Sequence, residues 1–230
     1  MKVLITGTSS GLGYELAKQF KAKGDTVYGT SRRKTKLNIK HLQCDFNNLE
    51  ELDVSFQEFI KDVKEFDVVI LNAGMLGEIN KVSNLSLKQF NEIFNVNVLA
   101  NKIILDKLLI NKTKIQQVIG ISSGAALKPY HGWSLYCTSK SAFKQLLSTY
   151  SYEYPDTSFI SLAPGIIKTN MQDYINSLDK NAFPSVEKFQ QMFDNMDTAD
   201  IVAKKLINNL DKLKEGYIDL RYIITKKRIN

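Results

Sequence analysis

The chain has 230 residues, enough for one α/β domain with a sizeable core and too few for a second full domain. Hydrophobic residues make up 43% and charged residues 24%, with four prolines and no repeat, which excludes a disordered or solenoid chain. The net charge of +7, from 31 basic and 24 acidic residues, reads as a solvated basic surface, and the run Lys226-Lys227-Arg228 is too short to argue for a nucleic-acid partner.

Val3-Leu4-Ile5 is too short an apolar run for a signal peptide or a membrane span, so a cytoplasmic protein without a membrane partner is expected. The two cysteines, Cys44 and Cys137, do not make a disulfide framework. With only His41 and His131 as histidines, and no pair at ligand spacing, no metal site is expected.

In chain order, the pattern predicts a strand over 2–5, a helix over 11–23, strands over 26–30 and 41–43, and a helix over 49–63. A strand over 67–71, a helix over 86–110, a strand over 117–122 and a helix over 133–152 follow. The chain then gives a strand over 157–162, a helix over 198–213 with Asp197-Thr198 as capping groups, and a strand over 217–222. Adjacent aliphatic residues mark several of these strands as buried on both faces. The alternation implies a Rossmann-like, doubly wound parallel sheet of about seven strands with helices on both faces, in one domain spanning 1–230. Such sheets bind ligands at the carboxyl ends of their strands, near the switch in strand order.

Between the first strand and the first helix lies Thr6-Gly7-Thr8-Ser9-Ser10-Gly11-Leu12-Gly13, spaced TGxxxGxG. Glycines there permit a sharp turn and close approach to a pyrophosphate, and the helix N-terminus offers N–H groups to it. The turn therefore points to a dinucleotide, against the plainer reading of a glycine-rich βα turn. Ser31-Arg32-Arg33-Lys34 ends the second strand, where an NAD binder places Asp or Glu for the ribose 2′-OH. A guanidinium suits a 2′-phosphate instead. NADP(H) is preferred on this ground and NAD(H) stays open.

Tyr136-Cys137-Thr138-Ser139-Lys140 reads YxxxK, which sets both side chains on one helical face. An ammonium beside a tyrosine stabilises the phenolate, making the hydroxyl a usable proton donor or acceptor.

With these motifs in order, the sequence resembles the short-chain dehydrogenase/reductase family over nearly its whole length. Asp45 after the third strand, Asn72-Ala73-Gly74 after the fourth and Asn95-Val96-Asn97 in the middle helix belong to the match. So do Ser122-Ser123-Gly124 ending the fifth strand, and Pro164-Gly165 and Thr169 after the sixth. The resemblance implies an NAD(P)(H)-dependent oxidoreductase that reduces a ketone or aldehyde with NADPH, through a site of Ser123, Tyr136, Lys140 and Asn97. Tyr136 is then the general acid, and Ser123, rather than its neighbour Ser122, hydrogen-bonds the substrate oxygen. Lys140 binds the nicotinamide ribose and depresses the tyrosine pKa, and Asn97 holds a water that relays protons to it. The dinucleotide is implied to rest on Gly7, Ser9, Ser10, Gly11, Leu12 and Gly13, with Ser31, Arg32 and Arg33 at the 2′-phosphate. Asp45, with Phe46 beside it, meets the adenine. Asn72, Ala73 and Gly74 line the cleft, Pro164, Gly165 and Ile167 face the nicotinamide, and Thr169 takes its carboxamide. Plainer roles stay open for Asn97, as a tie to backbone inside its helix, and for Asp45 and Thr169, as helix caps.

Family members commonly end the last strand with an Asp-Gly-Gly-type segment that supports a tetramer; here it reads Gly216-Tyr217-Ile218-Asp219. A homodimer is expected and a tetramer is in doubt. Residues 125–133 and a lid over about 171–193 carry Tyr130, Trp133, Tyr174, Phe183 and Phe189, which suggest an apolar or aromatic substrate wall. His131 and Cys137 read as a loop residue and a packing residue. The rival reading is a dinucleotide-binding regulatory protein of the same fold, like the bacterial C-signal factor. It would be favoured by loss of Ser123, Tyr136 or Lys140, and all three are present.

Overall fold

The computed structural model describes residues 1–225, so the basic run 226–228 lies outside the described residues. Its first half contains β1 (Lys2–Thr6), α1 (Gly11–Ala22), β2 (Thr26–Ser31), β3 (Lys40–Gln43), α2 (Leu49–Ile60) and β4 (Glu65–Leu71). Next come α3 (Leu87–Phe94), α4 (Ala100–Ile110), β5 (Lys114–Ile121), α5 (Ser134–Glu153) and β6 (Ser158–Ala163). The remainder is β7 (Ile167–Lys168), α6 (Asn170–Asn176), α7 (Glu187–Met192), β8 (Asp197–Thr198), α8 (Ala199–Ile207), β9 (Gly216–Asp219) and α9 (Leu220–Thr225).

The seven long strands form one parallel sheet in the order β3-β2-β1-β4-β5-β6-β9. Both faces are covered, as the continuous apolar strands require. Leu4, Val69 and Val118 pack with Phe56, Leu105 and Phe143 from α2, α4 and α5 on one face. On the other, Val3, Ile70 and Ile160 pack with Leu16 and Phe20 of α1 and Leu206 of α8. The strand order reverses between β1 and β4, which opens a crevice at their carboxyl ends. Thr6 ties its two sides: Oγ1 accepts from the backbone N–H groups of Asn72 and Ala73, each at 2.9 Å, and its carbonyl accepts from Asn72 Nδ2 at 2.8 Å.

Three local expectations are corrected, and the helix over 86–110, which runs unbroken from Leu87 to Ile110, carries a π-turn at Asn95–Leu99 that joins α3 to α4. There the Asn101 side chain donates to the Asn97 carbonyl at 3.0 Å, while Asn97 turns its own amide inward. A side chain bonding into the backbone ladder is a usual cause of such a bulge. The helix over 198–213 stops at Ile207, where Asn209 Nδ2 takes the Lys205 carbonyl at 2.8 Å and a 3₁₀ turn follows. Asp197-Thr198 is not a side-chain cap but the strand β8, paired with β7. The last strand ends at Asp219 rather than 222, because its carboxylate accepts from the Arg221 N–H at 3.1 Å and starts α9.

Candidate active site

The crevice at the β1/β4 switch opens into a cleft of about 800 Å³. At its floor, Gly7 has φ +80°, and a Cβ there would stand 2.8 Å from Asn72 Nδ2 and 3.1 Å from Ala73 Cα. Only glycine passes that turn without strain. The α1 N-terminus behind it has no side-chain cap from Ser10 and no acidic residue in its first turn. It presents free N–H groups and a positive dipole end to the cleft. These features fit a dinucleotide pyrophosphate.

Gly7, Ser9, Ser10, Gly11 and Leu12 line the cleft, with Ser31, Arg32, Arg33, Asp45 and Phe46 toward one end. Asn72, Ala73, Gly74, Pro164, Gly165, Ile167 and Thr169 line it as well. Gly13 is not among the lining residues; its hydrogen faces the α1–turn contact, where a Cβ would lie 2.4 Å from the Gly7 carbonyl oxygen. Asp45 holds its own loop, accepting from Asn47 N–H at 2.9 Å, and Asn48, not Asp45, caps α2. Thr169 occupies the position before α6 but makes no side-chain cap bond.

The second strand ends in a small polar knot. Ser31 Oγ donates to the Arg33 carbonyl at 2.7 Å and lies 2.8 Å from His41 Nε2 of β3. The serine's single proton is spent on Arg33, so the histidine nitrogen is the donor of the second bond. This fixes the curl of the loop carrying the exposed Arg32 and Arg33 guanidinium groups.

At the other end, α5 brings Tyr136, Ser139 and Lys140 to one buried face. Gly120 of β5 makes this approach close: a Cβ there would lie 2.3 Å from Leu147 Cδ1 and 2.8 Å from the Phe143 ring. Lys140 is buried, donates to the Ile121 carbonyl at 2.7 Å, and sits 5.7 Å from the centre of the Tyr136 ring. Burial lowers its pKa to about 8. Burial also pushes the Tyr136 phenol up to about 12, although Ser123, as a hydrogen-bonding neighbour, pulls it back. Burial, which disfavours the charged phenolate, is the largest cause of that rise. Ser123 Oγ accepts from Ala125 N–H at 3.1 Å, while Ser122 Oγ is buried without a hydrogen-bond partner among the described residues.

Asn97 is fully buried and does not line the cleft. Its Oδ1 accepts from Met75 N–H at 2.8 Å; its Nδ2 donates to the Met75 carbonyl and to Ser139 Oγ, each at 2.9 Å. These bonds reach outside its own helix, to the backbone of Met75 and to Ser139 of α5.

Opposite Tyr136, α6 and α7 lay Ile175 and Phe189 against Trp133. Trp133 stacks on Phe189 at 5.0 Å, and Tyr130 lies 5.3 Å from Trp133 and 5.7 Å from Phe189. His131 is exposed, its N–H donating to Ser185 Oγ at 2.6 Å, and does not line the cleft. Residues absent from the expected set but lining the cleft include Met75, Lys128, Lys168, Gln172, Lys188 and Arg221. Lys128 and Lys188 fall within or beside segments read as the variable wall; Arg221 was hidden by its assignment to a strand.

The family model described as short chain dehydrogenase matches residues 1–180. The chain belongs to the short-chain dehydrogenase family. Among curated relatives, a benzil reductase ((S)-benzoin forming) of Bacillus subtilis is 32% identical, covering 93% of this chain and 94% of the relative. Its counterpart from Bacillus cereus is 33% identical, with 91% and 93% covered. A short chain dehydrogenase/reductase structure from Saccharomyces cerevisiae superposes with a TM-score of 0.81 at 21% identity, covering 95% of each chain, and shows the shared fold. This short-chain dehydrogenase is therefore an oxidoreductase acting on C=O or CH–OH groups with NAD(P). The regulatory reading is not favoured. Among the described residues, no helix is long and apolar enough to cross a membrane, and no group of three or more His, Cys, Asp or Glu side chains could hold a metal ion.

Proposed function

We propose that the protein is a cytoplasmic, homodimeric NADPH-dependent carbonyl reductase that reduces one carbonyl of an aromatic ketone, a 1,2-diketone being the favoured class. The observation that carries this reading is the buried pair of Tyr136 and Lys140, with Ser123 beside the phenol, at the floor of a cleft walled by Tyr130, Trp133 and Phe189. The names of the two Bacillus relatives support the diketone. Hydride is what the dinucleotide supplies when bound.

The chain's own groups do the rest. Ser123 Oγ donates a hydrogen bond to the substrate oxygen. Tyr136, its pKa raised to about 12, still holds its proton near neutrality and delivers it from Oη to that oxygen. The phenolate left behind is stabilised by the Lys140 ammonium. Asn97 acts as a positioning residue, tying Met75, next to Gly74, to Ser139, next to Lys140. Arg32 and Arg33 take the 2′-phosphate, and residues 171–193 serve as the lid that keeps water from the reacting carbonyl.

The experiment is NADPH oxidation with benzil and a panel of simple ketones and aldehydes, run beside Tyr136→Phe. Turnover lost in the variant supports the reading. Tight NADPH binding with no turnover on any compound defeats it.

A further inference from the structure

The cleft has a charge pattern that reduction of a neutral ketone does not use. Asp45 is the only acidic side chain among the described residues that line it. Yet acids are nearly as numerous as bases in the chain, 24 against 31. An evenly mixed surface would place several acids there.

The basic residues of the cleft divide by position. Arg32, Arg33 and Lys140 are accounted for by the dinucleotide. Arg221 is held by Asp219, through Nε at 2.9 Å and Nη2 at 2.5 Å. Lys168 lies on β7 beside the segment read as facing the nicotinamide, its ammonium 4.9 Å from the centre of the Phe193 ring.

Lys128 and Lys188 remain, and both line the cleft together with Tyr130, Trp133 and Phe189. Lys128 Nζ lies 5.6 Å from the centre of the Tyr130 ring, and that ring lies 5.7 Å from Phe189, the residue after Lys188. One lysine comes from the loop after β5 and the other from α7, so the two enter the cleft from different elements. Neither has a carboxylate partner among the described residues. An incoming anion therefore breaks no existing ion pair.

We propose that the substrate is an aromatic carbonyl compound bearing a carboxylate distal to the reacting carbon, with its ring on Tyr130, Trp133 and Phe189 and its carboxylate between Lys128 and Lys188. This rests on the reductase reading of the same cleft. A cleft lined by one sign of charge raises the local concentration of an opposite ligand, and the effect is screened by salt. Each exposed pair is weak, so two together give about tenfold in affinity.

The test compares benzil with 4-carboxybenzil, which differ by one ring carboxylate. Affinities are measured by calorimetry on the NADP⁺ complex, where no reduction occurs, and KM is measured with NADPH. The expected result is about tenfold tighter binding of the carboxylated probe at low ionic strength, an advantage that shrinks as salt is added. In Lys128→Gln/Lys188→Gln the two probes bind alike. Should that double variant fold poorly, Lys188→Gln alone removes part of the advantage. Equal affinity for both probes in the wild type, or an advantage that survives both substitutions, overturns the inference. The two failures are separable: reduction of benzil without charge preference overturns the carboxylate site and leaves the reductase reading standing, whereas a charge preference in binding with no reduction of either probe leaves the carboxylate site and overturns the reductase reading.

Discussion

Lys140 Nζ lies 2.7 Å from the carbonyl oxygen of Ile121, the last residue of β5. That bond satisfies one of three ammonium donors, in surroundings that bring the lysine pKa down to about 8. As pH rises through about 8, Lys140 loses its charge while Tyr136, at about 12, keeps its proton. Carbonyl reduction should therefore fall on the alkaline side with an apparent pKa near 8 that belongs to the lysine. The profile of kcat/KM for NADPH reports groups of the free enzyme and is the curve to record. Lys140→Arg, whose guanidinium stays charged, should carry the alkaline limb upward; a limb that does not move would assign it to another group.

The same shift has a stability sign. Folded Lys140 releases its proton near 8 and unfolded lysine near 10.5, so the unfolded chain holds more protons across that window. Stability therefore rises with pH from about 8. Tyr136 opposes this only above its ordinary value of 10, because its folded pKa is raised. Urea unfolding at a series of pH values should show the rise in wild type and a flatter curve in Lys140→Met. Identical slopes would mean that the lysine is not held neutral by burial.

Tyr136→Phe removes the proton donor but keeps the ring beside Trp133, at 6.2 Å. Loss of a general acid costs about 10²–10⁴-fold in turnover. NADPH affinity, measured by fluorescence, should stay within about twofold, since the cradle of Gly7 and the α1 N-terminus is untouched. Ser123→Ala should lower turnover less, by about 10-fold to 10²-fold, because it removes one hydrogen bond to the developing alkoxide. A serine variant as inactive as the phenylalanine variant would make Ser123 the proton donor.

Much of this site was legible because its parts obey local rules. TGxxxGxG carries its own backbone demand at Gly7, and YxxxK needs only helical spacing to bring Tyr136 and Lys140 together. The sheet was legible from buried aliphatic runs such as Val68-Val69-Ile70. What escaped depends on individual side-chain contacts that no periodicity signals. At the π-turn, Asn101 bonds the Asn97 carbonyl four residues back, while the Asn97 amide reaches Met75 and Ser139, 22 and 42 residues away. The end of β9 is set by one carboxylate turning back on Arg221, and no periodicity signals that. Spacing reveals a charge one turn from Tyr136 but not how deeply the phenol is buried, and burial is what raises its pKa.

The Ser31–His41 contact gives the cofactor preference a structural handle. With Ser31 Oγ held between the Arg33 carbonyl and His41, the loop presents its guanidinium groups to the end of β2. Hydrogen bonds to a charged group contribute about 1.5–3 kcal/mol, so Arg32→Ala should weaken NADPH binding by about 10-fold to 10² and leave NADH nearly unchanged. Titration with both dinucleotides reads this directly. Equal losses would remove the 2′-phosphate from this loop.

Gly120 sets how close α5 can come to β5, and therefore where the reacting tyrosine stands. A methyl group at this position would lie 2.3 Å from Leu147 Cδ1 and 2.8 Å from two atoms of the Phe143 ring. Phe143 and Leu147 are both buried, so neither can swing into solvent. Overpacking of this kind costs about 1–3 kcal/mol, read as a lower urea midpoint for Gly120→Ala. The helix must also move away from the strand, carrying Lys140 from the Ile121 carbonyl and Tyr136 from Ser123. Turnover should then drop at least tenfold even under conditions where the variant is fully folded, because catalytic groups tolerate little misplacement. NADPH should still bind, since Gly7, α1 and the Arg32 loop lie on the other half of the sheet. A variant that loses stability yet turns over at the wild-type rate would show that α5 reaches its catalytic position without help from the strand.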